Sequence, residues 1–221
     1  VTLRLLLIRH AETALSARGR CYGVLDVELS PRGIRRAQAL ADVLRHEAID
    51  AVYSSALSRA VESARPLAQS LGQELKVEEG LGELDFGRCE GMTYSEIELH
   101  YPDVYREWMT SPATVVFPGG EGLADLQRRA WATMHQLQSR HAQGTIAVYT
   151  HAGVLRAIVA RLLEMPDHAI FRLGQDYGAI NVIDVTDGEA TLRATNLQLD
   201  ERDDPRASVL RSYVRVDEGD S

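Results

Sequence analysis

Short apolar runs alternate along the chain with segments whose apolar residues recur every three to four positions, the signature of strands alternating with amphipathic helices. Leu5-Leu6-Leu7-Ile8 is continuous rather than alternating, as in a strand buried on both faces of a parallel sheet, and it stops abruptly at Arg9-His10. A first strand is therefore predicted over 3–8. Ser30-Pro31 supplies a capping hydroxyl and a proline at the first helical position. Ile34, Ala37, Leu40, Ala41 and Leu44 follow at helical spacing, so a helix is predicted over 31–46 with these residues on its buried face. Ala51-Val52-Tyr53 reads as a second strand ending in Ser54-Ser55. The helix after it runs from near Ala56 to Leu71, stops at Gly72 and is expected to kink at Pro66. A weak strand at Lys76-Val77 leads into a glycine-spaced loop from Gly80 to Gly91. Two short helices around Pro102, a loop over 111–122 and a long helix over 123–141 come next. Thr145–Tyr149 is another buried strand and ends in Thr150-His151, with a helix over 154–163 behind it. Ile180–Thr186 and Glu189–Thr195 flank Asp187-Gly188, a strong hairpin signal. The pattern predicts an α/β fold with a mostly parallel central sheet and a C-terminal β-hairpin.

The 221 residues suit one domain, expected over 1–198, with 199–221 a polar C-terminal tail. The formal net charge of −8 argues against nucleic acid or an anionic membrane as partner, so any anion site must concentrate its arginines locally. Only two cysteines, Cys21 and Cys89, are present, which favours a reducing compartment over a disulfide scaffold. No run approaches the roughly 20 apolar residues of a membrane helix, and the N-terminus does not read as a secretory leader. A cytoplasmic location is expected.

Three strand-to-helix junctions carry Arg9 with His10, then Arg59, then His151. In a parallel sheet they share the carboxyl edge, where ligands bind. Two guanidinium groups and two imidazoles beside helix N-termini describe a receptor for a doubly charged oxyanion such as a phosphate group. A metal site is the weaker reading, because cations want neutral or anionic ligands without arginine alongside, and neither His-x-x-x-His nor Cys-x-x-Cys occurs. A neutral imidazole attacks phosphorus without first losing a proton. The leaving oxygen then needs one, and repulsion by a dianionic phosphate keeps a neighbouring carboxyl protonated; Glu83, in its glycine-rich loop, is the candidate.

Four ordered blocks carry a resemblance. Arg9-His10-Ala11-Glu12-Thr13, Ser54-Ser55-Ala56-Leu57-Ser58-Arg59-Ala60, Glu83-Leu84-Asp85-Phe86-Gly87 through Glu90-Gly91, and Thr150-His151-Ala152-Gly153-Val154 resemble the histidine phosphatase superfamily, also called phosphoglycerate-mutase-like. The resemblance implies a three-layer α/β/α sandwich with a lid at about 88–122, and a small-molecule phosphomonoester as substrate. It also implies a phosphohistidine intermediate with no metal and no cofactor. His10 is then the nucleophile, Arg9, Arg59 and His151 hold the phosphoryl oxygens, and Glu83 is acid and then base. Tyr22, Gly23 and Ser16 fall in the loop that meets substrate. Two departures are Ala11, where the family has glycine, and Ser16, where many members have asparagine.

Family mutases follow the glutamate with Arg-His-Tyr-Gly and carry a basic pair in the lid. Here Leu84-Asp85-Phe86-Gly87 follows Glu83, and no lysine or arginine lies between Glu107 and Gln127, which favours a phosphatase. Cys21-Tyr22-Gly23 with Asp26, and Phe117-Pro118-Gly119-Gly120-Glu121, resemble the α-ribazole phosphatases of cobalamin biosynthesis. A broad-specificity sugar-phosphate phosphatase, a phosphoglycerate mutase and a phosphate-binding regulatory module are the alternatives, and a homodimer is one option for assembly. Trp108, Met109, Val115, Val116 and Phe117 could wall an apolar leaving group or serve as core beneath a loop. Glu12 reads as a residue that orients its loop, Glu90 as either orienting or acidic, Trp131 as core, and Cys21 as unreactive. The pH–rate profile is expected to be a bell, with His10 protonating on the acid side in the ordinary histidine range.

Overall fold

The computed structural model describes residues 1–14, 17 and 19–198. Six strands, β1 (Thr2–Arg9), β2 (Ala51–Ser54), β3 (Leu75–Val77), β4 (Gly144–Thr150), β5 (Ile180–Thr186) and β6 (Glu189–Leu197), form one sheet in the order β3-β2-β4-β1-β5-β6. The first four are mutually parallel, whereas β5 runs antiparallel to β1 and β6 returns on β5. The β5–β6 turn is made by Asp187 and Gly188 at φ 51° and 86°, the pair of left-handed residues that a tight hairpin of matching twist requires.

The central position of β1 explains its unbroken apolar run. Leu3, Leu5 and Leu7 face α5 (Leu123–Arg140) and α6 (Ala152–Leu162), in a cluster with Leu126, Met134, Leu137, Val154 and Ile158. Leu6 and Ile8 face the other way, onto Leu40, Ala41 and Leu44 of α1 (Pro31–Leu44) and Ala64, Leu67 and Ala68 of α2 (Ser58–Ser70). The result is the three-layer sandwich, with helices on both faces. Above it, α3 (Tyr94–His100) and α4 (Pro102–Thr110) enclose a small cluster of their own around Cys21, Cys89, Ile97, Val115 and Phe117. No helix of the described residues is long and apolar enough to cross a membrane.

Several local expectations shift. On α1, Ile34 is 58% exposed; the buried stripe is Gly33, Ala37, Leu40, Ala41 and Leu44. The helix is rotated because Gly33 lies against the backbone of Glu12, where a Cβ would stand 2.1 Å from the carbonyl oxygen. The α2 helix starts at Ser58 rather than Ala56 and continues as one helix through Pro66. Met109 and Val116 are exposed, leaving Trp108, Val115 and Phe117 of the predicted wall inside. Trp131 is half-buried at the edge of the core, with the Arg161 guanidinium 4.6 Å from its ring centroid. The tail over 199–221 lies outside the described residues.

Candidate active site

Register places three strand ends side by side. Arg9 pairs with Thr150 and Ser54 with Tyr149, so the next residues, His10, His151 and Ser55, stand in a row at the carboxyl ends of β1, β4 and β2. Backbone bonds continue the ladder past the strands: His10 N–H donates to Thr150 O at 2.9 Å and Ser55 N–H to Tyr149 O at 3.0 Å. On the far side of β1, Gly178 N–H donates to His10 O, which brings Tyr177 to the same edge.

His10 and His151 are both buried, with ring centroids 5.1 Å apart. His10 Nδ1 is 2.8 Å from Ala11 O. A carbonyl only accepts, so Nδ1 carries the proton and Nε2 keeps its lone pair. His151 caps α6; its Nε2 lies 2.6 Å from Ser55 Oγ, and its buried Nδ1 has no hydrogen-bond partner among the described residues. Burial, and then Arg9 and Arg59, push the His10 pKa well below the usual histidine value. Burial, and then His10 and the same arginines, do so for His151.

Arg59, in the first turn of α2, is fully buried. It donates to Leu25 O at 3.0 Å and Gly23 O at 2.5 Å, and burial lowers its pKa against the opposing charges of Glu83, Tyr22, Asp26 and Glu90. Arg9 donates to Gln175 O at 2.5 Å, with its guanidinium 3.9 Å from the Tyr177 ring centroid. The Arg59 guanidinium lies 5.2 Å from the Tyr22 ring, and the hydroxyls of Tyr22 and Tyr177 are 2.6 Å apart. A tyrosine pair thus bridges the two cations. Arg9 Nε and Arg59 Nε are buried and, like His151 Nδ1, have no acceptor among the described residues.

Glu83 enters from the loop after β3 and borders two clefts, one acidic, with Glu79, Asp85 and Glu121, and one apolar, with Phe86, Trp108 and Phe117. Its carboxylate accepts from Gly153 N–H at 3.1 Å, a free amide in the first turn of α6, and from Leu84 N–H at 2.9 Å. Gly153 permits this approach, since a Cβ there would stand 2.3 Å from Glu83 Oε1. Arg129 of α5 holds the loop from beneath, donating to Gly80 O, Gly82 O and Glu83 O and pairing with Glu121.

The family model described as histidine phosphatase superfamily (branch 1) matches residues 5–198. The chain belongs to the histidine phosphatase superfamily. It is 32% identical over 195 residues to phosphoserine phosphatase 1 of Hydrogenobacter thermophilus, covering 88% of this chain and 92% of that one. It is 30% identical over 194 residues to the adenosylcobalamin/alpha-ribazole phosphatase of Salmonella typhimurium, covering 88% and 96%. The crystal structure of the alpha-ribazole phosphatase from Shigella flexneri superposes with a TM-score of 0.81 at 28% identity, covering 89% of this chain and 99% of that one. This histidine phosphatase is a phosphoric monoester hydrolase.

Of the residues singled out in the sequence, Arg9, His10, Arg59, Glu83 and His151 meet at one sheet edge, with Tyr22 beside them. Gly23 helps to hold the loop: its N–H donates to Glu90 and its carbonyl accepts from Arg59. Ser16 lies outside the described residues. Glu90 proves to be an orienting group, as does Glu12, which accepts from Ser30 Oγ at 2.8 Å. Cys21 is buried and its pKa is pushed up to about 12, chiefly by burial, in line with an unreactive thiol. Ser55, Arg129 and Tyr177 were missed. Ser55 alone carried a sequence signal, as the polar residue just past a buried strand; the others reach the site through tertiary packing.

Proposed function

We propose that this phosphatase hydrolyses a small phosphomonoester by way of a phosphohistidine at His10. The supporting observation is the grouping of three buried donors that have no acceptor among the described residues, Arg9 Nε, Arg59 Nε and His151 Nδ1, around an imidazole whose Nδ1 is committed to Ala11 O. Such donors suit phosphoryl oxygens, whose charge they stabilise in a low-dielectric site. The Ser55 hydroxyl donates to His151 Nε2, which keeps the proton on Nδ1, where an oxyanion can accept it. The lone pair of His10 Nε2 attacks phosphorus, the ester P–O bond breaks, and Glu83 gives its proton to the departing oxygen. The Glu83 carboxylate then takes a proton from water, the resulting hydroxide attacks phosphorus, and the P–N bond breaks to release phosphate and neutral His10.

Quenching turnover of a labelled phosphomonoester is expected to trap acid-labile, base-stable phosphate that maps to His10. Absence of any trapped label during rapid turnover, or its location on another residue, would overturn the proposal. The resemblance to α-ribazole phosphatases makes α-ribazole 5′-phosphate the first substrate to rank by kcat/KM, against phosphoserine, sugar phosphates and the phosphoglycerates. Faster interconversion of 2- and 3-phosphoglycerate than phosphate release would favour the mutase reading instead.

The lowered histidine pKa values revise the expected bell. In the free enzyme His10 stays neutral below the ordinary histidine range, so the acid limb of kcat/KM, corrected for substrate ionisation, should lie well under pH 6.5. A bound phosphate dianion favours the imidazolium, so the acid limb of kcat should lie at higher pH than that of kcat/KM. Coincident limbs near pH 6.5 would count against the buried-cation geometry. Stability follows with a definite sign. Below about pH 6.5 the unfolded chain binds protons that folded His10 and His151 refuse, so stability falls as the pH falls until the folded values are reached. Urea titrations at pH 7.5 and 5.5 measure this slope.

A further inference from the structure

We propose that the cleft between α6 and the aromatic cluster of the 84–117 region is a leaving-group site for phosphomonoesters that join a flat apolar portion to a carboxylate, with Arg156 as the residue that selects the carboxylate. This rests on the reading of Glu83 as the proton donor to the leaving oxygen.

Phe86, Trp108, Phe117 and Phe171 wall the cleft, and Arg156 and Glu83 border it together. The Phe86 and Phe117 centroids are 4.8 Å apart and those of Trp108 and Phe117 5.2 Å, so the aromatic surface is continuous. Such walls take up the body of a ligand, while a few polar groups fix its orientation. Arg156 is the cation among them. It follows Gly153 by three residues on α6, so the two share a helix face, and Gly153 N–H holds the Glu83 carboxylate. An ester with its bridging oxygen at Glu83 would therefore extend its far end toward Arg156.

The guanidinium is poised for an anion. Only its Nε is engaged, donating to Leu173 O at 2.9 Å, and its carbon lies 5.8 Å from the Phe171 ring centroid. Among the described residues its two terminal nitrogens have neither a hydrogen-bond partner nor an ion pair. Burial, and then the charge of Arg9, lower its pKa, while Glu83 and Asp176 act in the other sense from beyond ion-pairing distance. The free face of a guanidinium is a planar fork that matches a carboxylate in two parallel bonds. One cation balances one negative charge, whereas a second phosphate dianion would call for the doubled arginines seen at Arg9 and Arg59. The segment 108–126 has no lysine or arginine, and the cation on the lining of the cleft is Arg156 of α6.

The test compares kcat/KM for 4-carboxyphenyl phosphate with that for its neutral isostere 4-carbamoylphenyl phosphate. The carboxamide is the better leaving group, so a preference for the carboxylate is not a leaving-group effect. Wild-type enzyme is expected to prefer the carboxylate by about tenfold to a hundredfold, the worth of charge-assisted bonds. In Arg156→Gln the ratio should fall to within about twofold of unity, and in Arg156→Lys, which keeps the charge and loses the fork, it should lie between. Misfolding lowers both rates and leaves the ratio intact, and the wild-type ratio is decisive without any variant. Equal kcat/KM for the two esters in the wild type, or a ratio that survives in Arg156→Gln, overturns the assignment while the phosphatase reading stands. Hydrolysis of neither ester, with no label on His10, overturns both.

Discussion

Replacing His10 with alanine is expected to lower kcat by roughly 10^4- to 10^6-fold, the loss typical when a nucleophile that acts as part of a unit is removed. Phosphate esters hydrolyse so slowly in water that positioned cations alone leave most of the barrier in place. The variant should nevertheless fold and bind phosphate. Among the described residues His10 makes one side-chain hydrogen bond, to the neighbouring carbonyl, and Arg9, Arg59 and His151 are held by other contacts, to Gln175 O, to Leu25 O and Gly23 O, and to Ser55 Oγ. Inorganic phosphate should therefore still raise the melting temperature of His10→Ala, in proportion to ln(1 + [phosphate]/Kd). Turnover within tenfold of wild type would remove His10 from the nucleophile's role. Loss of both turnover and phosphate-induced stabilisation would mean that the imidazole builds the cradle instead of attacking from within it.

How much of this was legible beforehand depends on how far each feature travels along the chain. The strand Leu5–Ile8, the proline-started helix at Pro31 and the Asp187-Gly188 turn are local signals, and each element stands where periodicity and turn chemistry put it. The gathering of His10, Arg59 and His151 was legible because parallel strands bring their carboxyl ends to one edge whatever the sequence between them. Ile34 misled because a helical stripe is judged by hydrophobicity, whereas the orientation of α1 is set by the contact of Gly33 with the Glu12 backbone, which requires the absence of a side chain. Met109 and Val116 misled for a related reason. In a short helix and a loop, no period says which apolar side chain faces inward. Arg129, Tyr177 and Arg156 lie on segments whose sequence looks like ordinary helix surface or loop, and their roles arise only when α5, α6 and the β5 approach are packed together. Sequence also suggested that Arg59 would face substrate. It could not reveal that the same guanidinium spends two of its donors on the carbonyls of Gly23 and Leu25.

That double engagement of Arg59 makes Glu90 the most consequential residue outside the reacting groups. Its carboxylate accepts from Gly23 N–H, Val24 N–H and Leu25 N–H on one loop and from Phe86 N–H on another, all at 2.9–3.1 Å. The two loops meet so closely that a Cβ on Gly23 would stand 1.6 Å from Leu84 O. Asp26 fastens the same loop to the start of α2 through Ser58 N–H and Oγ. Glu90→Ala strands four amide donors at once. Bonds to a charged acceptor contribute about 1.5–3 kcal/mol each when dry, and water reaches part of this site, so a loss of about 2–4 kcal/mol in unfolding free energy is expected. Glu90→Gln should be nearly as costly, because one carboxylate oxygen becomes an NH2 group facing amide donors, although size and packing are preserved. Activity should fall with stability, since the Gly23 and Leu25 carbonyls that orient Arg59 belong to the released loop; a drop in kcat/KM of more than tenfold is expected, at roughly the worth of one lost charge-assisted contact to the phosphoryl group. Urea unfolding and steady-state kinetics on Glu90→Gln decide the point. A variant as stable and as active as wild type would show that the loop keeps its shape without the carboxylate, and that Arg59 is positioned by its burial in α2 alone.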